Sequence, residues 1–299
     1  MNSFKNKITI GITAYNEGEY LLEAWNSVSS QTNDSWEAIM VLDGGADVET
    51  QRIFNNISHP SLQKIKLDEN MGPYPARTMS IEKANSEWYC QLDADDILPS
   101  NTINLLLDTI NSNPKSEYIY GNCIHFNDHS YFVKKPLDDP DLLCYSALFN
   151  SASPIKKSLY DAIGGYALDL YYNADWDFWI SVHELGINGT RINDIIYCRR
   201  VRSDNIGAVQ MDQKPINVEI IIKKHPIYFD TEFKKNKARF KVYEILARNK
   251  RALGARNIAY EYANRALQYG SITSTLSEII KEYHMSLPRY LLRRIRRWI

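Results

Sequence analysis

Cysteine is scarce in this sequence of 299 residues, and its placement excludes two kinds of site. The four cysteines, Cys90, Cys123, Cys144 and Cys198, are scattered without the CxxC spacing typical of zinc sites and redox motifs. We therefore expect reduced thiols in the protein core rather than disulfides or bound zinc.

Long apolar runs are also missing. No segment approaches the roughly 18 consecutive apolar residues that predict a membrane-spanning helix. The first residues, MNSFKNKITIGI, lack the apolar stretch of a signal peptide before a strand pattern begins. We therefore expect a cytoplasmic protein with an ordinary globular composition, which is 44% hydrophobic and 24% charged.

Net charge is almost absent at −1, but the charge is unevenly distributed. Residues 223–299 contain 18 Lys and Arg against 6 Asp and Glu, whereas residues 1–222 contain 17 against 30. In the last eleven residues, RYLLRRIRRWI, the apolar side chains can share one helical face while most arginines lie elsewhere. This pattern predicts attachment to an anionic membrane surface and no nucleic-acid partner, with a solvated basic helix as the alternative.

Strand and helix patterns alternate through the first hundred residues. The predicted strands are KITIGI, AIMVLD, QKIKL and WYCQLD, with helical spacing between them. Such alternation predicts an α/β fold with a mainly parallel sheet flanked by helices, in which ligands bind at the carboxyl ends of the strands. Three acid-bearing segments, TAYNEG, DGGAD and DADD, each follow a predicted strand.

The rest of the chain differs in character. Residues 106–222 are rich in Tyr, Asp and Gly and contain one predicted helix, which begins near Asp175 and ends at Gly186. From residue 223 the pattern is helical. We predict a donor-binding half at 1–105, an acceptor-binding half at 106–222 and a basic helical extension at 223–299.

Three acids follow the fourth predicted strand within four residues, at Asp93, Asp95 and Asp96. Carboxylates this close repel one another, so solvent, helix N-terminal amides or a hard cation must neutralise them. Asp93 and Asp95 suit an arrangement in which one reaches a ribose or a metal while the other ligates Mg²⁺ or Mn²⁺ shared with a diphosphate. The alternative is that Asp95, Asp96 or Ser100 caps the next helix, which accounts for only one acid.

Two loops and a basic segment supply further candidates for nucleotide contacts. Asp43 opens DGGAD, where glycines permit close approach and the carboxylate can accept a hydrogen bond from a base, or else cap the next helix. Arg77, in NMGPYPART, either contacts phosphate or carboxylates or is a surface cation. The basic segment CRRVRSDN, with Arg199, Arg200 and Arg202, could bind pyrophosphate.

The segment DWDFW joins acids to indoles. Asp175 and Asp177 suit the first turn of a helix, so capping is one reading of them. Trp176 and Trp179 have flat apolar faces of the kind that stack on sugar rings, although core packing accounts for at least one of them.

Five segments, taken in order, resemble the motifs of the family 2 inverting glycosyltransferases, which have the GT-A fold. They are ITIGITAYNEGEYLLEAWNSVSSQT, VLDGGADVET, ENMGPYPARTMSIEKA, CQLDADDILP, and KSLYDAIGGY followed by NADWDFW. The second is similar to the base-binding segment, the third to the NxGxxxARNxG loop, the fourth to the metal-binding DxD segment and the last to the region of the catalytic acid. The resemblance covers about residues 7–205.

On the donor side, the resemblance implies that Thr13 and Tyr15 flank the nucleobase and that Asp43 binds it. It further implies that Arg77 contacts the nucleotide and that Asp93 reaches the ribose.

On the reaction side, the resemblance implies that Asp95 ligates Mn²⁺ or Mg²⁺ and that Asp175 is the catalytic base; Trp176, beside it, is expected to shape the acceptor pocket.

Three positions depart from the family pattern. Leu42 replaces a first Asp, which leaves Asp43 to act alone on the base, and Ala174 replaces a Glu before the catalytic acid. Arg202 lies near the place of a His; an arginine cannot ligate a cation, but it can neutralise a diphosphate.

These residues predict a metal-dependent inverting glycosyltransferase that uses a nucleoside-diphosphate sugar, with UDP-sugars favoured. The expected acceptor is a hydroxyl of a glycan or lipid-linked glycan in bacterial surface polysaccharide assembly, at the inner face of the cell membrane. A sugar-1-phosphate nucleotidyltransferase would need a Gly-rich phosphate loop that TAYNEGEY does not supply. A non-catalytic glycan-binding module predicts loss of Asp95 or Asp175, and both are present.

Overall fold

The chain folds into two compact units. The computed structural model describes residues 7–127, 130–134, 143–144, 149, 152–170, 173–202 and 211–286. The first unit comprises residues 1–143 and 147–205, and the second comprises residues 144–146 and 206–299. The boundary predicted at residue 223 therefore falls inside a helix of the second unit, and the two predicted halves of the α/β part share one unit.

An eight-stranded sheet forms the centre of the first unit in the part of the chain that is described. Its strands are β1 (Ile8–Ala14), β2 (Trp36–Leu42), β3 (Leu62–Lys66), β4 (Trp88–Asp93), β5 (Tyr118–Asn127), β6 (Tyr131–Val133), β7 (Ile155–Lys156) and β8 (Gly189–Val201). The spatial order is β3-β2-β1-β4-β7-β5-β6, and β8 pairs with β5. The first four strands are parallel to one another, and β5 is parallel to β8. β6 pairs antiparallel with β5, and β7 pairs antiparallel with β4 and β5. The predicted mainly parallel sheet is therefore confirmed.

Helices flank this sheet and make up most of the described second unit. In the first unit they are α1 (Glu19–Ser29), α2 (Val48–Asn56), α3 (Pro73–Lys83), α4 (Thr102–Ser112), α5 (Lys157–Ile163) and α6 (Ala174–Glu184). In the second unit they are α7 (Lys214–Lys224), α8 (Glu232–Ala252), α9 (Arg256–Leu267) and α10 (Ser274–Ser286). None of the described helices combines the length and apolar composition needed to cross a bilayer. The predicted amphipathic tail, residues 287–299, lies outside the described residues.

Burial explains why the central strands form where they do. β1 is buried along nearly its whole length, as expected for a parallel strand covered on both faces. Gly11 in β1 lies directly against Tyr89 of β4, where an added Cβ would be 2.0 Å from the phenolic oxygen. This close approach lets Tyr89 donate a hydrogen bond to Gln91 Oε1 at 2.6 Å, and Gln91 in turn donates to Thr13 Oγ1 at 3.0 Å.

Candidate active site

The carboxyl ends of β1, β2 and β4 meet at one edge of the sheet, as the sequence predicts. The backbone register places Thr13 beside Asp93 and Ala14 beside Leu42. The loops that follow are tied together by the backbone, because Asp43 N–H donates to Ala14 O at 2.8 Å. The three acid-bearing segments therefore meet at this edge of the sheet.

Asp93 and Asp95 are each paired with an arginine from a different element. Arg77 of α3 donates to Asp93 Oδ1 at 2.6 Å, and Arg202, just after β8, lies 3.6 Å from Asp95 Oδ2. Burial raises the pKa of the Asp95 carboxyl, the charge of Asp93 raises it further, and the charge of Arg202 opposes both. Asp95 is thus a carboxylate for which nearby positive charge is strongly stabilising.

The third acid, Asp96, has a structural role. It is 3% exposed and accepts hydrogen bonds from the Arg200 backbone N–H at 2.6 Å and from the Tyr197 hydroxyl. Burial, followed by the charges of Asp95 and Asp93, raises its pKa well above the ordinary range. The predicted capping alternative for these acids is wrong, since helix α4 has Asn101 at its N-cap and no side-chain cap there.

Arg200 holds the DADD loop through contacts within the protein. Its guanidinium donates to the Asp95 carbonyl at 2.8 Å and to Glu23 at 2.5 Å. Its central carbon also lies 4.3 Å from the Tyr20 ring centroid and 4.6 Å from that of Phe126. Of the predicted basic segment, Arg202 is the residue that the structure places directly against a site carboxylate.

Glu17 is an acid at this edge of the sheet that the sequence analysis did not single out. Its carboxylate accepts the Tyr15 N–H at 2.6 Å, which fixes the turn after β1. Burial raises the pKa of Glu17 to about 7, despite this bond, and the negative charges of Asp95 and Asp93 act in the same direction. Its place in TAYNEG, directly after a strand end, was the signal for it.

Asp43 organises the loop before α3. Its carboxylate accepts backbone N–H groups from Gly44 at 3.0 Å and from Met71 and Gly72 at 2.9 Å each. The next helix is capped by Asp47, so the capping reading of Asp43 is wrong. Three such bonds leave little acceptor capacity on a side chain that is 4% exposed, and the base-binding role stays a prediction.

Asp175 lies in the first turn of α6 and not at its cap, which is Asn173. Its Oδ1 accepts a hydrogen bond from the Tyr74 hydroxyl at 3.0 Å. The sequence analysis missed this contact between residues that are distant in the sequence. Asp175 also lines a small enclosed cavity of about 10 Å³ together with Tyr89, Gln91 and Tyr166. The structure thus places the predicted base beside Tyr89 and Gln91 of β4, at a cavity with room for about one water molecule.

Trp176 faces the core. It is 3% exposed, and its indole N–H donates to the Leu143 carbonyl at 2.5 Å. Trp179, three residues on, is 5% exposed and packs against Phe149 and Phe178. This burial argues against the predicted role of Trp176 as an acceptor-stacking face, because neither side of a packed indole is available to a sugar.

The sequence profile described as glycosyl transferase family 2 matches residues 9–168, which is more than half of the chain. The chain therefore belongs to glycosyl transferase family 2 and is a glycosyltransferase.

Three curated proteins illustrate the likeness. An uncharacterized glycosyltransferase of Bacillus subtilis is 26% identical over 215 residues, covering 68% of this chain and 78% of that protein. A PGL/p-HBAD biosynthesis glycosyltransferase of Mycobacterium bovis is 30% identical over 178 residues, covering 57% and 67%. A teichoic acid poly(glycerol phosphate) polymerase of Staphylococcus epidermidis is 33% identical over 109 residues, or 36% of this chain. That match spans only 15% of the polymerase.

Solved structures agree with the fold. Residues 1–349 of S. aureus TarS superpose with a TM-score of 0.64 at 15% identity, covering 88% of this chain and 80% of that one. The mannosyltransferase PcManGT of Pyrobaculum calidifontis, solved with GDP-Man and Mn²⁺, gives a TM-score of 0.59 at 19% identity, covering 96% and 83%. At these identities the likeness establishes the GT-A fold with C-terminal helices and nothing finer.

Proposed function

We propose that this glycosyltransferase transfers a sugar with inversion from a nucleoside-diphosphate sugar to a glycan hydroxyl, with Asp175 as general base. The observation that carries the proposal is the N-terminal half of α3, whose side chains contact both a donor-side acid and the candidate base. Arg77 pairs with Asp93 at 2.6 Å, Tyr74 bonds Asp175 at 3.0 Å, and the Arg77 guanidinium carbon lies 5.3 Å from the Tyr74 ring centroid. A donor-side acid and the candidate base are therefore joined through adjacent side chains.

The chemistry is a single displacement. Asp175 accepts the proton of the acceptor hydroxyl as its oxygen attacks the anomeric carbon, and the bond from that carbon to the diphosphate breaks on the opposite face. Thr13, Tyr15 and Asp43 are the proposed nucleobase contacts, since they lie at or just after the ends of β1 and β2.

The carboxylate oxygens of the DADD loop fit a divalent cation that binds together with the donor. Among the described residues, no three Asp, Glu, His or Cys side chains converge as a self-sufficient metal site. Mg²⁺ and Mn²⁺ need only one or two protein carboxylates when substrate phosphates and water complete the shell. Asp95 would hold the ion, with Asp93 beside it and Arg202 near enough to contact the diphosphate. Such an ion stabilises the negative charge that develops on the leaving diphosphate.

The donor and acceptor classes draw on the related proteins. TarS has been solved with UDP and with UDP-GlcNAc, and PcManGT with GDP-Man, which supports a sugar nucleotide and favours UDP. The name of the teichoic acid polymerase supports an acceptor in bacterial surface polymer assembly. We further propose that the enzyme acts peripherally at the inner face of the cell membrane.

A surface of the second unit supports that location. In the turn between α7 and α8, Ile227 is 77% exposed, and Phe233 at the start of α8 is 67% exposed. Exposed Lys223 and Lys224 precede the turn, and Lys237 lies 4.4 Å from the Phe233 ring centroid. We call Lys223, Lys224, Ile227, Phe233 and Lys237 the turn patch. Exposed apolar side chains among lysines match an anionic membrane interface, and the predicted basic tail, residues 287–299, would add to it.

The test is a panel of sugar nucleotides with Mn²⁺, read as release of free nucleotide with and without glycan acceptors. Asp175→Asn keeps size and polarity, so it should bind UDP and Mn²⁺ normally while transfer falls at least about a hundredfold. Asp95→Ala should abolish both the Mn²⁺ dependence of UDP binding and the activity. The matched control is Asp108→Asn, which alters an exposed acid on α4 and should behave as wild type.

The outcomes separate the alternatives. If Asp175→Asn retains transfer while Asp177→Asn loses it, the base lies two residues on, although Asp177 is 2% exposed. Full turnover by Asp95→Ala would refute the metal assignment. Pyrophosphate formation from a nucleoside triphosphate and a sugar 1-phosphate would identify a nucleotidyltransferase, and glycan binding without nucleotide release would identify a binding module.

A further inference from the structure

We propose that Tyr74 is a positioning residue for Asp175, which rests on the proposed role of Asp175 as base. The Tyr74 hydroxyl donates to Asp175 Oδ1 at 3.0 Å and lies 3.4 Å from the Asp175 backbone N–H, which it accepts. One phenolic oxygen therefore contacts both the carboxylate and the backbone of the same residue. Tyr74 is 5% exposed, so water competes little for this bond.

The start of α6 needs such a partner. Its N-cap, Asn173, has a left-handed backbone with φ of 77° and makes no side-chain cap. The first backbone N–H groups of a helix have no partner within the helix. The Asp175 N–H is one of these groups, and the Tyr74 oxygen supplies the missing acceptor. Tyr74 thereby fixes the turn that carries the base as well as the rotamer of its carboxylate.

The contact leaves one oxygen of Asp175 for chemistry. Oδ2 has no hydrogen bond to any residue in the described part of the chain, and the side chain borders the small cavity lined by Tyr89 and Gln91 of β4. Burial, followed by the charge of Asp175, raises the pKa of Tyr74 well above its usual range, so the phenol remains a donor. Because the hydroxyl holds Oδ1, the orientation of Oδ2 is fixed with it.

Contacts of neighbouring residues with the donor-side acids fix the position of Tyr74. The loop before it is anchored by Asp43, which accepts the Gly72 N–H at 2.9 Å. Three residues later, on the same face of α3, Arg77 pairs with Asp93. Tyr166 packs on the Tyr74 ring, with centroids 5.3 Å apart. The position of the base is therefore set by the segment that also contacts the donor-side acid.

Tyr74→Phe removes only the hydroxyl. We expect kcat to fall about tenfold at an unchanged KM for the donor, because the carboxylate loses the hydrogen bond that orients it. Binding of UDP with Mn²⁺ should stay within about twofold of wild type, since the change lies on the base side.

Tyr160→Phe is the matched control. Its hydroxyl pairs with Thr78 of the same helix α3 at 2.8 Å and makes no bond to Asp175. It should lower the melting temperature by a similar amount while leaving kcat within about twofold of wild type. An unchanged kcat in Tyr74→Phe, or the same fall in Tyr160→Phe, would overturn the positioning role. If Asp175→Asn is inactive when Tyr74→Phe is normal, the base stands and this inference fails; if Asp175→Asn is active, both fail.

Discussion

Replacement of Arg200 by methionine tests whether the DADD loop is held by a buried cation. Methionine keeps most of the apolar stem and removes the guanidinium. The Arg200 side chain is 8% exposed, and it donates to the Asp95 carbonyl at 2.8 Å and to Glu23 at 2.5 Å. Two aromatic rings, Tyr20 and Phe126, lie within cation–π range of it.

The contacts set the expected loss of stability. A hydrogen bond from a charged donor contributes about 1.5–3 kcal/mol, and each cation–π contact about 0.5–1 kcal/mol. The Glu23 side chain is 48% exposed, so water can solvate it after the change, and its ion pair contributes at most about 1 kcal/mol. Because these interactions share one group, they are not additive, and we expect a total loss of about 3 kcal/mol.

Urea unfolding followed by circular dichroism measures this loss, and the melting temperature should fall by about 6–12 °C. Glu23→Gln is the control, since it removes one charge of the pair and keeps the guanidinium; it should cost less than about 1 kcal/mol. A loss below 1 kcal/mol in Arg200→Met, or equal losses in the two variants, would refute the bracing role. We also expect weaker Mn²⁺-dependent UDP binding, because the Asp95 backbone loses an anchor.

Two further predictions concern Glu17 and the turn patch. Because the folded-state pKa of Glu17, about 7, exceeds its ordinary 4.5, its contribution to stability is complete below pH 4.5 and is lost as the pH rises through 7. The free energy of unfolding of wild type relative to Glu17→Gln should therefore fall by up to about 3 kcal/mol over that range, and parallel curves would contradict the shift. For the turn patch, Ile227→Asp with Phe233→Asp should reduce flotation with anionic liposomes, as should removal of residues 287–299. Val48→Asp, at a site 83% exposed in the first unit, should not, and equal flotation of all forms would exclude membrane contact by these segments.

The fold was predictable because its signals are local. WYCQLD was predicted as a strand over residues 88–93, and β4 has those bounds. The helix predicted from Asp175 to Gly186 is α6, and Gly186 has the left-handed backbone, with φ of 66°, that commonly follows a helix. Strand length, apolar runs and a terminal glycine can all be recognised within a few residues, and tertiary packing reinforced them here.

The contacts that shape the site were not predictable in this way. Tyr74 and Asp175 are 101 residues apart, and Arg200 and Glu23 are 177 apart. No periodicity links such pairs, because they depend on which loops the sheet brings together. The two indoles of DWDFW show the same limit: helical spacing indicates that a face is buried, but the sequence did not reveal that Trp176 belongs to it.

The three clustered acids of the DADD loop are neutralised by three different means, and this determines which of them can change partner. Asp93 has a short charge-assisted hydrogen bond to Arg77 at 2.6 Å, and Asp96 is buried against the backbone of β8. Asp95 has the longest of these contacts, at 3.6 Å from Arg202, which is beyond good hydrogen-bond distance. Exchanging that partner therefore costs least. In the proposed reaction Arg202 would turn to a diphosphate oxygen while Asp95 turns to the cation, and the other two acids would keep the loop in place.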